Sequence, residues 1–154
     1  MINNNLISVI LPTLNFIEST SNVLDALAYQ TLGPAEVIII DSSPDHRIKD
    51  LTKKYEDRLN IVYVSITKAY PGEARNIGIS NATGRYIAFL DSKTIPQSEW
   101  LSDAMQEISQ DNLDLVFGST NYLANSSLQK IFQASIYGKK PVETTPGTII
   151  SLGA

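Results

Sequence analysis

Short apolar runs that do not alternate with polar residues recur along this chain, and each is followed by a stretch with helical spacing. Ile7 to Pro12 and Ala35 to Asp41 set the pattern. A strand covered on both faces reads this way, whereas a half-solvated strand would alternate. Between these runs, Glu18 to Gln30 places Val23, Leu24, Leu27 and Ala28 on one helical face, and Leu32-Gly33-Pro34 supplies the stop. The alternation continues with helices expected over about Asp45–Glu56, Gly72–Ser80 and Gln97–Ser109. Strands are expected at Ile61–Ser65, Tyr86–Leu90 and Leu113–Phe117. Four successive crossovers predict a doubly wound α/β fold: a mostly parallel sheet with helices on both faces. Beyond Gly118 the pattern weakens to a helix at Ser127–Tyr137, a loop at Pro141–Pro146 and a strand at Thr148–Leu152. Because the chain closes on the apolar Thr148–Ala154 instead of a polar tail, the domain is expected to be cut short at its C-terminus.

With 154 residues there is room for one domain, residues 1–154, around one core. A net charge of −4 provides no basic field for a nucleic-acid backbone, which excludes that partner class. The absence of cysteine removes disulfides, thiolate zinc sites and a thiol nucleophile together. No run is long enough for a membrane span and no secretory signal is evident, so the expected location is cytoplasmic. Neither a Gly-x-Gly-x-x-Gly turn after the first strand nor a Walker loop is present, which removes the main support for a dinucleotide oxidoreductase or a P-loop enzyme.

In an open parallel sheet, ligands bind beyond the carboxyl ends of the strands. The polar residues there are Pro12, Thr13 and Asn15 after the first strand, Asp41, Ser42, Ser43 and Asp45 after the second, Thr67 and Lys68 after the third, and Asp91, Ser92 and Lys93 after the fourth. An ionised carboxylate only accepts hydrogen bonds, so Asp41 and Asp91 suit a nucleobase N–H, ribose hydroxyls or a divalent cation. They equally suit capping of the helices that follow. Pro71-Gly72-Glu73-Ala74-Arg75 opens a helix with free N–H groups and a guanidinium in its first turn, a place for an anionic ligand; a surface ion pair is the competing reading of Arg75. His46, the single histidine, lies on a polar helix start and reads as solvated, and Trp100 reads as packing a helix against the sheet.

Four segments together resemble the ordered motifs of family 2 glycosyltransferases with the GT-A, Rossmann-like fold. They are Ser8–Asn15, Glu36–Asp45, Gly72–Ile79 and Ala82–Ser92. The resemblance runs from Leu6 to about Leu101 and continues weakly to the end. It implies a transferase that binds a nucleoside-diphosphate sugar and passes the sugar to an acceptor, whether glycan, lipid or protein. By similarity, Pro12, Thr13, Asn15 and Asp41 would hold the base, Ser43 would join them in binding the nucleotide sugar, Arg75 would lie beside the base or the phosphates, and Asp91 would reach the ribose or a Mg²⁺ or Mn²⁺ ion. On this reading Asp41→Ala weakens nucleoside-diphosphate binding in a domain that stays folded.

Two departures qualify the match. Where the family carries Asp-x-Asp, this chain has Asp91-Ser92-Lys93, and a protonated lysine repels a cation instead of ligating it, so metal dependence is called into question and Lys93 becomes a candidate partner for the diphosphate. The acidic catalytic base of the family's inverting members lies in the acceptor-binding half, for which no residue here can be nominated, so the chain alone is expected to be inactive in transfer. The competing readings are a catalytically inactive nucleotide-binding or interaction module, and a nucleotidyltransferase. The latter needs a glycine-rich, basic loop after the first strand, which Pro12-Thr13-Leu14-Asn15-Phe16 is not.

Overall fold

The computed structural model describes residues 6–118 and 148–151. The helix and loop expected between residues 127 and 146 lie outside them. The elements are β1 (Ile7–Thr13), α1 (Ile17–Ala28), β2 (Glu36–Asp41), α2 (Arg47–Thr52) continued by a 3-10 turn at Lys53–Tyr55, β3 (Ile61–Ser65), α3 (Pro71–Asn81), β4 (Tyr86–Phe89), α4 (Trp100–Asp111), β5 (Leu115–Phe117) and β6 (Thr148–Ser151). The strands form one sheet in the order β3-β2-β1-β4-β6-β5. The β1–β2, β1–β4 and β2–β3 pairs are parallel, as the unalternating runs predict. β6 enters between β4 and β5 and is antiparallel to both, so sequential strands β4 and β5 are not neighbours. Crossover counting does not foresee this insertion.

The pleat sorts the apolar residues onto two faces. Ile7, Val9 and Leu11 of β1, with Val37 and Ile39 of β2, pack against Val23, Leu24 and Leu27 of α1, Ile48 and Leu51 of α2, and Leu101, Met105 and Ile108 of α4. Ile10, Ile38, Ile40 and Ile87 turn the other way, toward Ala74 and Ile77 of α3. Helices thus cover both faces, which is why β2 is buried at every position. α3 lies so close to β1 that a Cβ on Gly78 would overlap Cγ2 of Ile10 and stand 3.1 Å from its Cδ1 and Cγ1. A glycine inside a helix costs stability by itself, and here close packing on the sheet requires it.

β1 continues through Pro12 to Thr13, past the proline at which the sequence reading stops it. Ile10 accepts the Leu90 amide on the β4 side, and Pro12, two residues on, presents the same backbone edge. β4 ends at Phe89, so the missing N–H of Pro12 forfeits no ladder bond. Helix α1 starts at Ile17 and α3 at Pro71, a proline placed where its absent donor costs nothing. Helix α4 begins at Trp100, later than the expected Gln97, and ends on Asn112 with φ 50°. Trp100 packs against the larger core cluster, and His46 is exposed, both as the sequence suggests.

Candidate functional site

From β1 the chain crosses to β2 and β3 on one side, then returns to place β4 on the other side of β1. The carboxyl ends of β1 and β4 therefore flank the point where strand order reverses, the place where such sheets open a crevice. The loops after β1, β2 and β4 and the start of α3 all reach this edge.

Asp41, the last residue of β2, is fully buried. Its Oδ1 accepts the Thr13 hydroxyl at 3.0 Å, the Ser43 amide at 3.0 Å and the Ser43 hydroxyl at 2.5 Å. Oδ2 accepts the Tyr63 hydroxyl of β3 at 2.7 Å. Ser43 Oγ in turn accepts the Asn15 amide at 2.8 Å, and the Ser42 amide donates to the Thr13 carbonyl at 3.0 Å. One carboxylate thereby ties the ends of three adjacent strands and sets the loops after β1 and β2 in a single arrangement. Asn15 holds φ at 58°, a left-handed conformation that asparagine tolerates better than most residues. Burial, followed by the hydrogen bond to Asp41 and its negative charge, pushes the Tyr63 phenol up to about 12, so it remains a donor throughout the ordinary pH range.

A second group gathers around β4. Arg75, expected in the first turn of α3, stands in the second because the helix starts at Pro71; its Nη2 donates to Asp91 Oδ1 at 2.9 Å, with the two side chains 33% and 52% exposed. Lys93 Nζ stands 3.9 Å from the centroid of the Phe16 ring, so the loop after β4 meets the loop after β1 across the switch point. Phe16 follows Asn15 directly, and this joins the second group to the first. Neither aspartate caps a helix: α2 follows His46, and its Arg47 amide donates to Asp45 Oδ1 at 3.1 Å, while α4 follows Glu99, and its Leu101 amide donates to Gln30 Oε1 at 3.2 Å. Arg75 does form an ion pair, as its plainer reading has it, but with another candidate residue at the same edge.

All the sequence candidates, Pro12, Thr13, Asn15, Asp41, Ser43, Arg75, Asp91 and Lys93, thus lie at the carboxyl edge. The sequence reading missed Tyr63 and Phe16. Tyr63 sits inside the apolar run Ile61–Ser65, where only its hydroxyl and its place two residues from the strand end hint at a polar role. Phe16 is 41% exposed, unusual for an aromatic beside a buried strand. The donors at Asp91 do not assemble a divalent-cation site among the described residues. Asp91 is engaged by Arg75, Lys93 brings a positive charge, and no group of three or more His, Cys, Asp or Glu side chains converges there.

A buried carboxylate also lies at the opposite, amino edge. Glu36 Oε1 accepts the Ser8 hydroxyl at 2.6 Å, the Thr83 amide at 2.7 Å and the Thr83 hydroxyl at 2.8 Å, while Ser8 Oγ accepts the Gly84 amide at 2.9 Å. Burial alone would push the Glu36 carboxyl up, but the bonds from Ser8, Thr83 and Gly84 outweigh it and hold the group below its ordinary range. A Cβ on Gly84 would lie 2.7 Å from the Ser8 amide nitrogen and 2.9 Å from the Leu6 carbonyl. The Thr83-Gly84 part of the fourth motif therefore serves the fold.

An open, mainly parallel sheet with its switch point at β1/β4 and polar loops on that edge defines a Rossmann-like α/β domain of the ligand-binding kind. The family model for glycosyl transferase family 2 matches residues 8–143. The chain belongs to that family. It is 32% identical over 122 residues to an uncharacterised glycosyltransferase of Rickettsia conorii, a match covering 79% of this chain and 20% of that one. It is 29% identical over 120 residues to the glycosyltransferase AglE of Haloferax volcanii, covering 75% and 40%. Among solved structures, S. aureus TarS in complex with UDP-GlcNAc superposes with a TM-score of 0.70 at 27% identity, covering 79% of this chain and 36% of that one. The fold also matches a mannosyltransferase from Pyrobaculum calidifontis in complex with GDP-Man and Mn²⁺, with a TM-score of 0.70 at 18% identity, covering 94% and 44%. The chain is a GT-A fold. It spans 20% to 40% of the length of the two curated relatives. Among the described residues no helix is long and apolar enough to cross a membrane.

Proposed function

We propose that residues 1–154 form one domain that binds a nucleoside-diphosphate sugar, as the donor for transfer of the sugar to an acceptor hydroxyl. The observation that carries this reading is the buried Asp41 network at the carboxyl edge. It holds the loops after β1 and β2 in fixed positions beside the switch point, and binding loops held in advance lower the entropic cost of association. Pro12, Thr13, Asn15, Asp41 and Ser43 surround the base. Asp41, itself fully buried, takes part by fixing Thr13, Asn15 and Ser43 around the base. Arg75 and Asp91 lie toward the ribose and phosphates, with the guanidinium available for an anionic oxygen. In the transfer step the acceptor oxygen attacks the anomeric carbon, the bond to the diphosphate breaks and its electron pair leaves with the nucleoside diphosphate. The proton of the attacking hydroxyl goes to a base that the described residues do not identify, and transfer by the whole protein is part of the proposal.

Titration calorimetry of this chain with UDP, GDP, ADP, CDP and dTDP tests the reading. Saturable binding of at least one, weakened in Arg75→Ala, is expected; no binding of any would refute it. The replacement at Lys93 also favours a second reading, a non-catalytic nucleotide-binding module. Sugar transfer by the full-length protein carrying this segment would refute that alternative.

A further inference from the structure

At the mouth of the proposed site, Lys93 is a cation with an unassigned task. Its ammonium sits over the Phe16 ring at 3.9 Å from the centroid, and among the described residues no carboxylate pairs with it. A lysine on a loop would ordinarily sweep a wide volume of solvent. The ring face holds this one between the ends of β1 and β4, at the switch point, while leaving its N–H donors free. The nearest carboxylate in sequence, Asp91, pairs through Oδ1 with Arg75 at 2.9 Å and not with Lys93. On the donor-binding reading, Lys93 stands at the edge where the diphosphate would need countercharge, and its own charge repels a divalent ion there.

We propose that this domain binds the diphosphate of its donor without a divalent metal, the ammonium of Lys93, positioned by Phe16, serving as the fixed countercharge. The inference rests on the donor-binding reading above and goes beyond it in naming what neutralises the diphosphate. A lysine acts on phosphate as a point charge with three donors, needs no particular coordination geometry and requires no bound ion. Phe16 then has a task that explains its exposure: it keeps the ammonium in place before the nucleotide arrives.

Affinity for UDP and GDP, with the matching nucleoside monophosphates as controls, is measured on the full chain in 5 mM EDTA and in Mn²⁺, at concentrations on the order of the usual cofactor range. The expected result is diphosphate binding in EDTA that changes less than about threefold on adding Mn²⁺ and weakens as salt rises. Lys93→Ala should lower metal-free diphosphate affinity about tenfold, with little effect on the monophosphate, since charge-assisted bonds to an anion are worth more than neutral ones. Phe16→Leu should lower it about two- to fivefold, the size of an exposed cation–π contact. Both side chains are exposed, and circular dichroism checks that the variants fold. Binding that requires Mn²⁺ and ignores Lys93→Ala overturns this inference while leaving donor binding intact. Failure to bind any nucleotide with or without Mn²⁺ overturns the donor reading, and this inference with it.

Discussion

Replacing Asp41 with alanine should lower the stability of the domain by about 3 kcal/mol, on the following grounds. The carboxylate receives the Thr13 hydroxyl, the Ser43 amide and hydroxyl, and the Tyr63 hydroxyl. Thr13 and Ser43 are 4% and 9% exposed, so their orphaned groups gain little from water, whereas half-buried Tyr63 can rehydrate. An unsatisfied buried donor costs about 1–3 kcal/mol, and the Ser43 amide, unlike the hydroxyls, cannot rotate to another acceptor. Counting the amide in full and the two hydroxyls in part gives about 3 kcal/mol. Against a total of about 5–15 kcal/mol for a domain, the variant stays folded at room temperature. Urea unfolding should show its midpoint lowered by about 1–2 M, and the thermal midpoint should fall by about 6–12 °C. Asp41→Asn keeps the shape and can still accept from Thr13 and Ser43, while Tyr63 turns to accept from the new amide; about 1 kcal/mol is expected. A loss below about 1 kcal/mol for the alanine variant would refute the idea that this carboxylate binds the three strand ends together.

Three further outcomes follow from the geometry. The Tyr63 phenol, raised to about 12, should appear as a late-ionising tyrosine in an alkaline absorbance titration and disappear in Tyr63→Phe; because the unfolded phenol ionises near 10, its contribution to stability is complete below 10 and lost as pH climbs toward 12. Glu36, held below its ordinary value of 4.5, contributes stability that is complete above that value and lost as pH falls through the lower folded value; Glu36→Gln should cost about 1–3 kcal/mol near neutrality and flatten the acid limb of a stability-versus-pH curve. Gly84→Ala would drive a Cβ to 2.7 Å from Ser8 and should cost about 1–3 kcal/mol by chemical denaturation, without altering nucleotide affinity, since Gly84 lies at the edge away from the candidate site.

The strands and helices, and the edge at which the candidate residues lie, are legible in the sequence because each depends on local pattern. A strand buried on both faces must be apolar throughout, and Val37 to Ile40 can hardly be read otherwise. Polar residues at strand ends follow directly once the strands are found. Thr13, Asp41 and Asp91 are such residues, and the four motif segments carry the family resemblance. Pairing at long range left no such trace. Nothing local shows that β6, about thirty residues past β5, enters the sheet antiparallel between β4 and β5, because an apolar run reads the same whichever neighbours it pairs with and in whichever direction it runs. Glu36 reads as an intruder in an apolar run until the fold brings Ser8 and Thr83 to it from 28 and 47 residues away. Tyr63 and Phe16 look like ordinary apolar residues, yet the tertiary structure makes one a donor to Asp41 and the other a seat for Lys93. Side-chain chemistry is written residue by residue, but the partner that gives it a task is chosen only when distant segments share one sheet edge.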